Sequence, residues 1–487
     1  MKIITLLILI CFIPNFLFAQ QVSKASLDNE AEAVWYSFKN NSNIINVQNY
    51  KEKGDYMYTV TVLDENLEKI KSTEFEDRDE DVLRHVTFND GKLYFLLEEN
   101  TKSDLQIKFH LNIIDIEDFS KTGKTLVVIN EKDDSNVIRR FFKVNGDNAS
   151  FGIVNFRDDY VAISYEIRNE SVKERVSYLF DKNYNQIFKK EKEYSIEDRD
   201  EKFRHYSSDI GETNETLYVL NNTPESNTYK LEAINDESYT SKNIVFDKEG
   251  HRDLSLEKTK NGLYCVGFFI DEKNENGAIY YSKLSDDLEI LSEEYLPFSD
   301  NFYDDLNKKQ VKRGVLLSLF DVIDDDNGSL YIIGEVNRVG VAGRDTQGFN
   351  NLNAINDDVI ACKVDKDGTL NWSRLVNKSQ KFYYSQYASF KPFIIDNKLH
   401  YVFNSEFNIE DVKTDKKSNS GMRPGSAQKF NVYLVSFNDE GIFEHQQLTD
   451  KKEDLRYLPV NSHVIKNEIL TMPGSRKKEN GFLRVQF

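Results

Sequence analysis

The chain has 487 residues, with 82 acidic against 63 basic side chains and a formal net charge of −19, a field that repels nucleic acid and anionic lipid surfaces and argues against both as partners. Its 26 tyrosines and 33 phenylalanines beside only seven prolines suit a domain of many strands. Three cysteines are too few to frame a small disulfide-stapled fold.

The N-terminus reads MKIITLLILICFIPNFLFAQ: Lys2, an apolar run from Ile3 to Ile13, and Ala19 before Gln20. That is the pattern of a secretory signal peptide at 1–19, so an exported protein is expected, whether periplasmic, outer-membrane-associated or extracellular. Cys11 lies inside the apolar run without the small residues that precede a lipoprotein cleavage cysteine, and is read as part of the signal. No second apolar run is long enough for a transmembrane span. Cys265 and Cys362 each stand inside an apolar strand pattern; two buried thiols are expected rather than a bridge, since a chain this long buries a large core without one.

Residues 20–487 are expected to form one domain. From Ala33 onward a unit recurs at roughly 55 to 70 residues, a period that belongs to blades or arrays. Its first marker is a turn followed by an apolar strand: SNIINVQNY from Ser42, NDGKLYFLLE from Asn89, RDDYVAISYE from Arg157, NETLYVLNN from Asn214, KNGLYCVGFF from Lys260, DDNGSLYIIGE from Asp325, IDNKLHYVFN from Ile395 and IKNEILTM from Ile465. Its second marker is a hairpin with an Asp/Asn/Gly turn, as in YTVTVLDENLEKI from Tyr58, RVSYLFDKNYNQIF from Arg175, IYYSKLSDDLEIL from Ile279 and NVYLVSFNDEGIF from Asn431. The most regular copy is DDVIACKVDKDGTLNWSRL, Asp357 to Leu375, where Val359, Ala361 and Lys363 alternate with Ile360, Cys362 and Val364, and Gly368 supplies a left-handed turn residue. The unit is therefore strand, tight turn, strand, longer loop, strand, tight turn, strand, which is a propeller blade.

An all-β propeller of four-stranded antiparallel blades follows. Single sheets this thin exclude water only by stacking on neighbours around an axis. The last unit, from Leu458, stops after its third strand at Phe487, and the segment near Gln21 to Asp28 is placed to supply a fourth. Eight blades are expected, with seven as the alternative and both chain ends closing the ring.

The phrase ACKVDKDGTLNW, Ala361 to Trp372, resembles the strand hairpin of secreted bacterial propeller repeats and is similar to the tryptophan-docking motif of quinoprotein propellers. The resemblance implies the propeller fold. Elsewhere Ile70, Ile187 or Phe443 takes the tryptophan place, and the adjacent half-cystines of the quinoproteins have no counterpart, because Cys265 and Cys362 stand singly. No cofactor is expected.

In a propeller the outer-to-inner connections and the second-to-third connections emerge on one face. Two junctions there are near duplicates: EDRDEDVLRH, ending at Arg84 and His85, and EDRDEKFRH, ending at Arg204 and His205. Related junctions carry His251 with Arg252, and Arg456 with Tyr457. A ring of such cations at the channel mouth would attract a carboxylate or sulfate, Arg being suited by its bidentate fork. In the plainer alternative each Arg pairs with an acid nearby, from Asp77 to Asp81 or from Glu197 to Glu201, and staples blade to blade. Two long Gly/Asn/Ser-rich insertions, Asn337 to Asn356 and Asn408 to Phe430, belong to adjacent blades and are read as binding loops; Lys413 to Gln428 is read as disordered. Arg338, Arg344 and Arg423 add cations, and FYYSQY from Phe382 adds aromatic faces for a sugar.

No metal site is read. DDDNG at Asp324 to Gly328 is a tight turn rather than a calcium loop, since Gly328 stands where a third ligand is required. The seven histidines show no zinc spacing, and neither a Gly-x-Ser-x-Gly elbow nor a phosphate loop is present. The expected function is a binding or scaffold module for an envelope protein or glycan. The alternatives are a carbohydrate hydrolase or lyase using the same face, and a purely structural envelope protein; fold alone does not choose among them.

Overall fold

The most apolar stretch of each repeat is its second strand, and this decides how the sheets pack. In the computed structural model Leu93 and Tyr94, Leu217 and Tyr218, Leu263 and Tyr264, Leu330 and Tyr331, and Leu399 and Tyr401 are all buried. Both faces of these strands are covered because each sheet lies between two others. The structure describes residues 21–487 except 28–33, 131–151, 195–203, 306–315, 383–389, 406–430, 450–455 and shorter stretches of one to five residues. The expected signal segment and the second insertion lie outside the described residues.

Seven blades are runs of four consecutive antiparallel strands. The first comprises Val34–Asn40, Asn43–Glu52, Asp55–Leu63 and Lys69–Asp77. The second comprises Asp81–Asn89, Lys92–Thr101, Gln106–Asp115 and Lys121–Asn130. The third has Gly152–Arg157, Tyr160–Arg168, Lys173–Asp181 and Gln186–Tyr194, and the fourth Arg204–Gly211, Thr216–Asn222, Thr228–Ile234 and Tyr239–Val245. The fifth has Gly250–Thr259, Gly262–Asp271, Gly277–Leu284 and Ile290–Pro297. The sixth has Leu316–Asp324, Leu330–Arg344, Asn350–Val364 and Leu370–Val376, and the seventh Phe390–Ile395, Lys398–Ser405, Asn431–Phe437 and Phe443–Thr449.

The expectation of eight like blades is corrected here: seven sheets are blades of this kind, and the remaining sheet is assembled otherwise. It orders Gln21–Leu27, Glu479–Gln486 and Ile469–Arg476, and on the last of these sit two short pieces, Arg456–Tyr457 and His463–Ile465. Pro459 between the two pieces has no N–H to give a ladder, and the chain turns there, with Ser462 N donating to Pro459 O at 2.9 Å. No continuous innermost strand forms.

The hydrophobic cores lie between sheets. Ile45, Val60, Phe95 and Leu97 fill the gap between blades one and two; Phe268, Ile279, Ile332 and Cys362 that between five and six; Leu434, Leu448, Leu483 and Val485 that between blade seven and the terminal sheet. The first strands of blades three to seven touch in succession, so these strands are innermost. Outer strands are wet: in Ile290–Pro297 only Leu296 is fully covered. Cys265 and Cys362 are separate buried thiols.

The tight turns share one device. Asp64 Oδ1 accepts from Asn66 N at 2.9 Å and Glu68 N at 2.8 Å, Asp181 Oδ1 from Asn183 N and Asn185 N, Asp325 Oδ1 from Asn327 N and Ser329 N, and Asn438 Oδ1 from Glu440 N and Ile442 N. Each carboxylate or amide stands in for a backbone acceptor. Gly368 and Gly441 take the left-handed position at φ 89° and 73°, whereas Leu67, Tyr184 and Leu288 hold it at 67°, 57° and 65°. A side chain there costs about 1–2 kcal/mol, which burial of all three side chains offsets.

Blade is tied to blade by cations reaching the next blade's outer turn. Lys71 Nζ donates to Ile116 O and Glu117 O at 2.6 and 2.8 Å, Lys124 to Tyr184 O and Lys190 to Asp236 O at 2.8 Å, Arg374 to Gly441 O at 3.1 Å, and Arg484 of the terminal sheet to Glu65 O of blade one. Between blades six and seven Trp372 stacks on Phe437 at 5.2 Å and lies against Gly441.

The first insertion is not a loop over most of its length. Asn337 to Arg344 and Asn350 to Asn356 continue the two central strands of blade six, with Arg338 opposite Ile355 and Arg344 opposite Asn350, and a short strand Gln380–Phe382 adds to Ala354–Asn356.

Candidate functional site

The inner strands present an open edge to the central channel. An open strand edge leaves N–H groups without a ladder partner, and here inner-strand acids supply one. Asp209 Oδ2 accepts from Lys258 N of the next blade at 2.5 Å, and Asp253 Oδ2 from Leu319 N of the blade after it at 2.7 Å. Ser207 Oγ accepts from Leu256 N at 3.2 Å and lies 2.9 Å from Ser255 Oγ. These carboxylates and hydroxyls join the inner strands of blades four, five and six.

The same strands line a cavity of about 290 Å³, bounded by Ser207, Asp253, Ser255, Glu257, Leu319, Phe320 and Asp321 among others. The register of blade six slips between Leu319 and Asp321. This bulge turns Phe320 outward, 41% exposed, with its ring tilted at 33° against the buried Phe390 of blade seven, centroids 4.5 Å apart. Ser255 Oγ donates to Glu257 Oε1 at 2.5 Å, and Asp321 Oδ1 accepts from Val322 N at 3.0 Å. Burial pushes the Asp321 carboxyl above the usual range, with Lys391 acting in the opposite sense. The cavity is thus an acidic, hydroxyl-lined recess with one aromatic face. None of these residues stood out in the sequence. The one sign was the slip in alternation: Leu317 and Leu319 pack inward two apart, but the next buried side chain is Val322, three further on.

The residues nominated from sequence are placed as follows. Arg84 sits at a register slip in the inner strand of blade two, 41% exposed, and both Nε and Nη2 engage Glu98 Oε2, at 2.6 and 2.5 Å. The partner is an acid across the sheet rather than one in Asp77 to Asp81. The largely buried His85 faces the ring of Tyr36 edge-on at 6.5 Å; burial, then the nearby His463, lowers its pKa to about 4. Arg252 is buried, donates to Gly250 O at 3.1 Å and to Lys248 O, and lies over Phe246 and Phe269. Arg204 and His205 open the inner strand of blade four opposite Asn222 and Asn221, and Arg456 lies opposite Ser475 in the terminal sheet. The side chains of Arg204, His205, Arg338, Arg344 and Arg456 lie outside the described residues, as do Arg423 and most of FYYSQY. Asp324 to Gly328 is a turn, with Gly328 N donating to Asp325 O at 3.1 Å.

No family model matches the chain, and no curated protein matches its sequence. Among solved structures it is similar to a prolyl endopeptidase (10% identity over 92% of this chain and 55% of that one, TM-score 0.43). It is also similar to the acylaminoacyl peptidase of Pyrococcus horikoshii (11%, 91% and 58%, 0.39). A third similarity is to the β-propeller domain of the Trilobed protease from Pyrococcus furiosus (11%, 87% and 97%, 0.38). The chain spans a little over half the length of the two peptidases.

Proposed function

We propose that this chain is an exported binding module that takes a neutral, hydroxyl-rich glycan in the channel recess of blades four to six. The observation that carries the reading is the bulge at Phe320, which sets an exposed aromatic face beside Asp253, Asp321, Glu257 and Ser255. Sugar C–H faces stack on aromatic rings, and sugar hydroxyls donate to carboxylates. An anionic ligand would meet three acids at close range, which disfavours it. A binding role suits the recess better than hydrolysis, because Asp253 and Asp321 already accept backbone N–H groups and Glu257 accepts Ser255.

The test is a screen of the full chain against immobilised neutral and acidic glycans, followed by calorimetry with the best neutral ligand. Phe320→Ala is expected to weaken binding at least tenfold, with only a small fall in the unfolding midpoint from the lost contact with Phe390. Retention of no neutral glycan, or equal binding by the variant, overturns the reading. The Arg84 and Arg204 junctions remain a separate proposed anionic site; an R84A/R204A double variant that retains sulfated glycans as the parent does removes them.

A further inference from the structure

The three inner strands of blade two gather a second set of chemistry-bearing residues, away from the recess. Asp81 opens the innermost strand, Glu99 lies directly opposite it near the end of the second, and Glu99 in turn opposes Lys108 of the third strand, two residues before His110. Side chains two apart on a strand share a face, so Asp81, Glu99 and His110 point the same way from three adjacent strands. Their ligand atoms lie within 4.8 Å of one another, with Asp81 Oδ2 3.5 Å from His110 Nε2.

Asp81 is the unusual member. Its side chain is 2% exposed, and Oδ1 is buried and accepts no hydrogen bond from any described residue. A buried carboxylate demands compensation, and among the described residues little is given: His110 carries charge only when protonated, and Lys108 Nζ leans on Glu99 Oε1 at 3.7 Å. Two carboxylates and one imidazole are a borderline N/O donor set that suits zinc or manganese.

We propose that Asp81, Glu99 and His110 form a binding site for one divalent transition-metal cation of the zinc or manganese class, clamping the three inner strands of blade two. Bond lengths of about 2.0–2.2 Å require the donor atoms to draw together from their present spacing. Glu99 and His110, 14% and 19% exposed, have room to swing, whereas Asp81 is fixed. The sequence holds an internal contrast: the first EDRDE is followed by Asp81, and the second by Lys202. The anchoring acid belongs to one of the two duplicated junctions. Zinc spacing was invisible along the chain because the ligands are 18 and 11 residues apart on different strands.

The test is independent of the glycan reading. Chelator-stripped full chain is titrated with zinc chloride and with manganese chloride, using calorimetry for both and the loss of the free-ion resonance for manganese. One equivalent of at least one metal is expected, together with a rise in the thermal midpoint. His110→Ala and Asp81→Asn are each expected to weaken binding at least tenfold and to abolish that rise. Circular dichroism confirms that the metal-free variants are folded; should His110→Ala fail to fold, His110→Gln replaces it. Absence of saturable one-to-one binding by either metal, or variants that bind as the parent does, overturns the proposal.

Discussion

Arg175 and Glu232 offer the sharpest measure of how the blades depend on one another. Arg175 lies on the third strand of blade three and Glu232 on the third strand of blade four, 6% and 1% exposed, and they form an ion pair. Asn221 Nδ2 donates to the same carboxylate at 2.9 Å, Tyr239 donates its hydroxyl, and Lys230 Nζ lies 3.4 Å away. Burial by itself raises the Glu232 carboxyl; against it Arg175, then Lys230, Tyr239 and Asn221 hold it at about 2, below its ordinary 4.5. That difference corresponds to about 3 kcal/mol of stability near neutral pH. A depressed carboxylate contributes fully above its unfolded pKa near 4.5 and loses its contribution as pH falls toward 2. Arg175→Met strands the carboxylate and should destabilise the fold by about 3–5 kcal/mol, while the R175M/E232M double variant should recover most of the loss. Urea unfolding across the acid range measures both, and E232M should flatten the slope below pH 4.5. An R175M midpoint equal to the parent's, or an unchanged acid slope in E232M, refutes the reasoning.

Two further outcomes follow from the packing. Trp372→Ala removes the ring that stacks on Phe437 and covers Gly441 and should cost about 3–5 kcal/mol. Gly441→Ala should cost about 1–3 kcal/mol, since its φ is 73° and a Cβ there would meet Trp372 Cγ at 2.7 Å; both are read from urea midpoints. His400, stacked on Phe393 with Nδ1 2.7 Å from Ser436 Oγ, has its pKa lowered by burial to about 4, as does His85. The fold holds these rings neutral, so stability should be full above pH 6.5 and fall as pH drops from there toward 4, by on the order of 3 kcal/mol for His400. His400→Gln should remove its share of that slope in acid titrations followed by fluorescence, and an unaltered slope counts against it.

What the chain order carries is local. The unbroken apolar run in Leu93 to Leu97 or Leu330 to Ile333 declares a strand covered on both faces, because successive side chains point to opposite faces and here both are apolar. Asp325 with Gly328, or Asp365 with Gly368, declares a turn because the side chain and the left-handed backbone meet within five residues. From such units the propeller follows, and so do the two unbridged cysteines. The blade count does not, because whether Arg456 to Ile465 runs as one inner strand depends on Pro459 and on what Ile469–Arg476 can pair with. The turns at Leu67, Tyr184 and Leu288 were legible from their Asp and Asn residues, but the left-handed backbone of these three side chains was not, since its cost is met by burial against other strands.

Partners across the ring were decided only by the tertiary structure. Arg84 carries the same junction phrase as Arg204, yet Glu98 engages it, and Arg252 is sandwiched between two phenylalanines. Lys71, Lys124 and Lys190 are ordinary outer-strand lysines in the sequence and become the ties between blades. The recess at Phe320 and the trio of Asp81, Glu99 and His110 arise in the same way, from residues on different strands. The physical reason is that strand formation and turning are settled by neighbours a few residues away, whereas charge pairing, burial and site assembly are settled by which sheet edge or face the ring sets opposite.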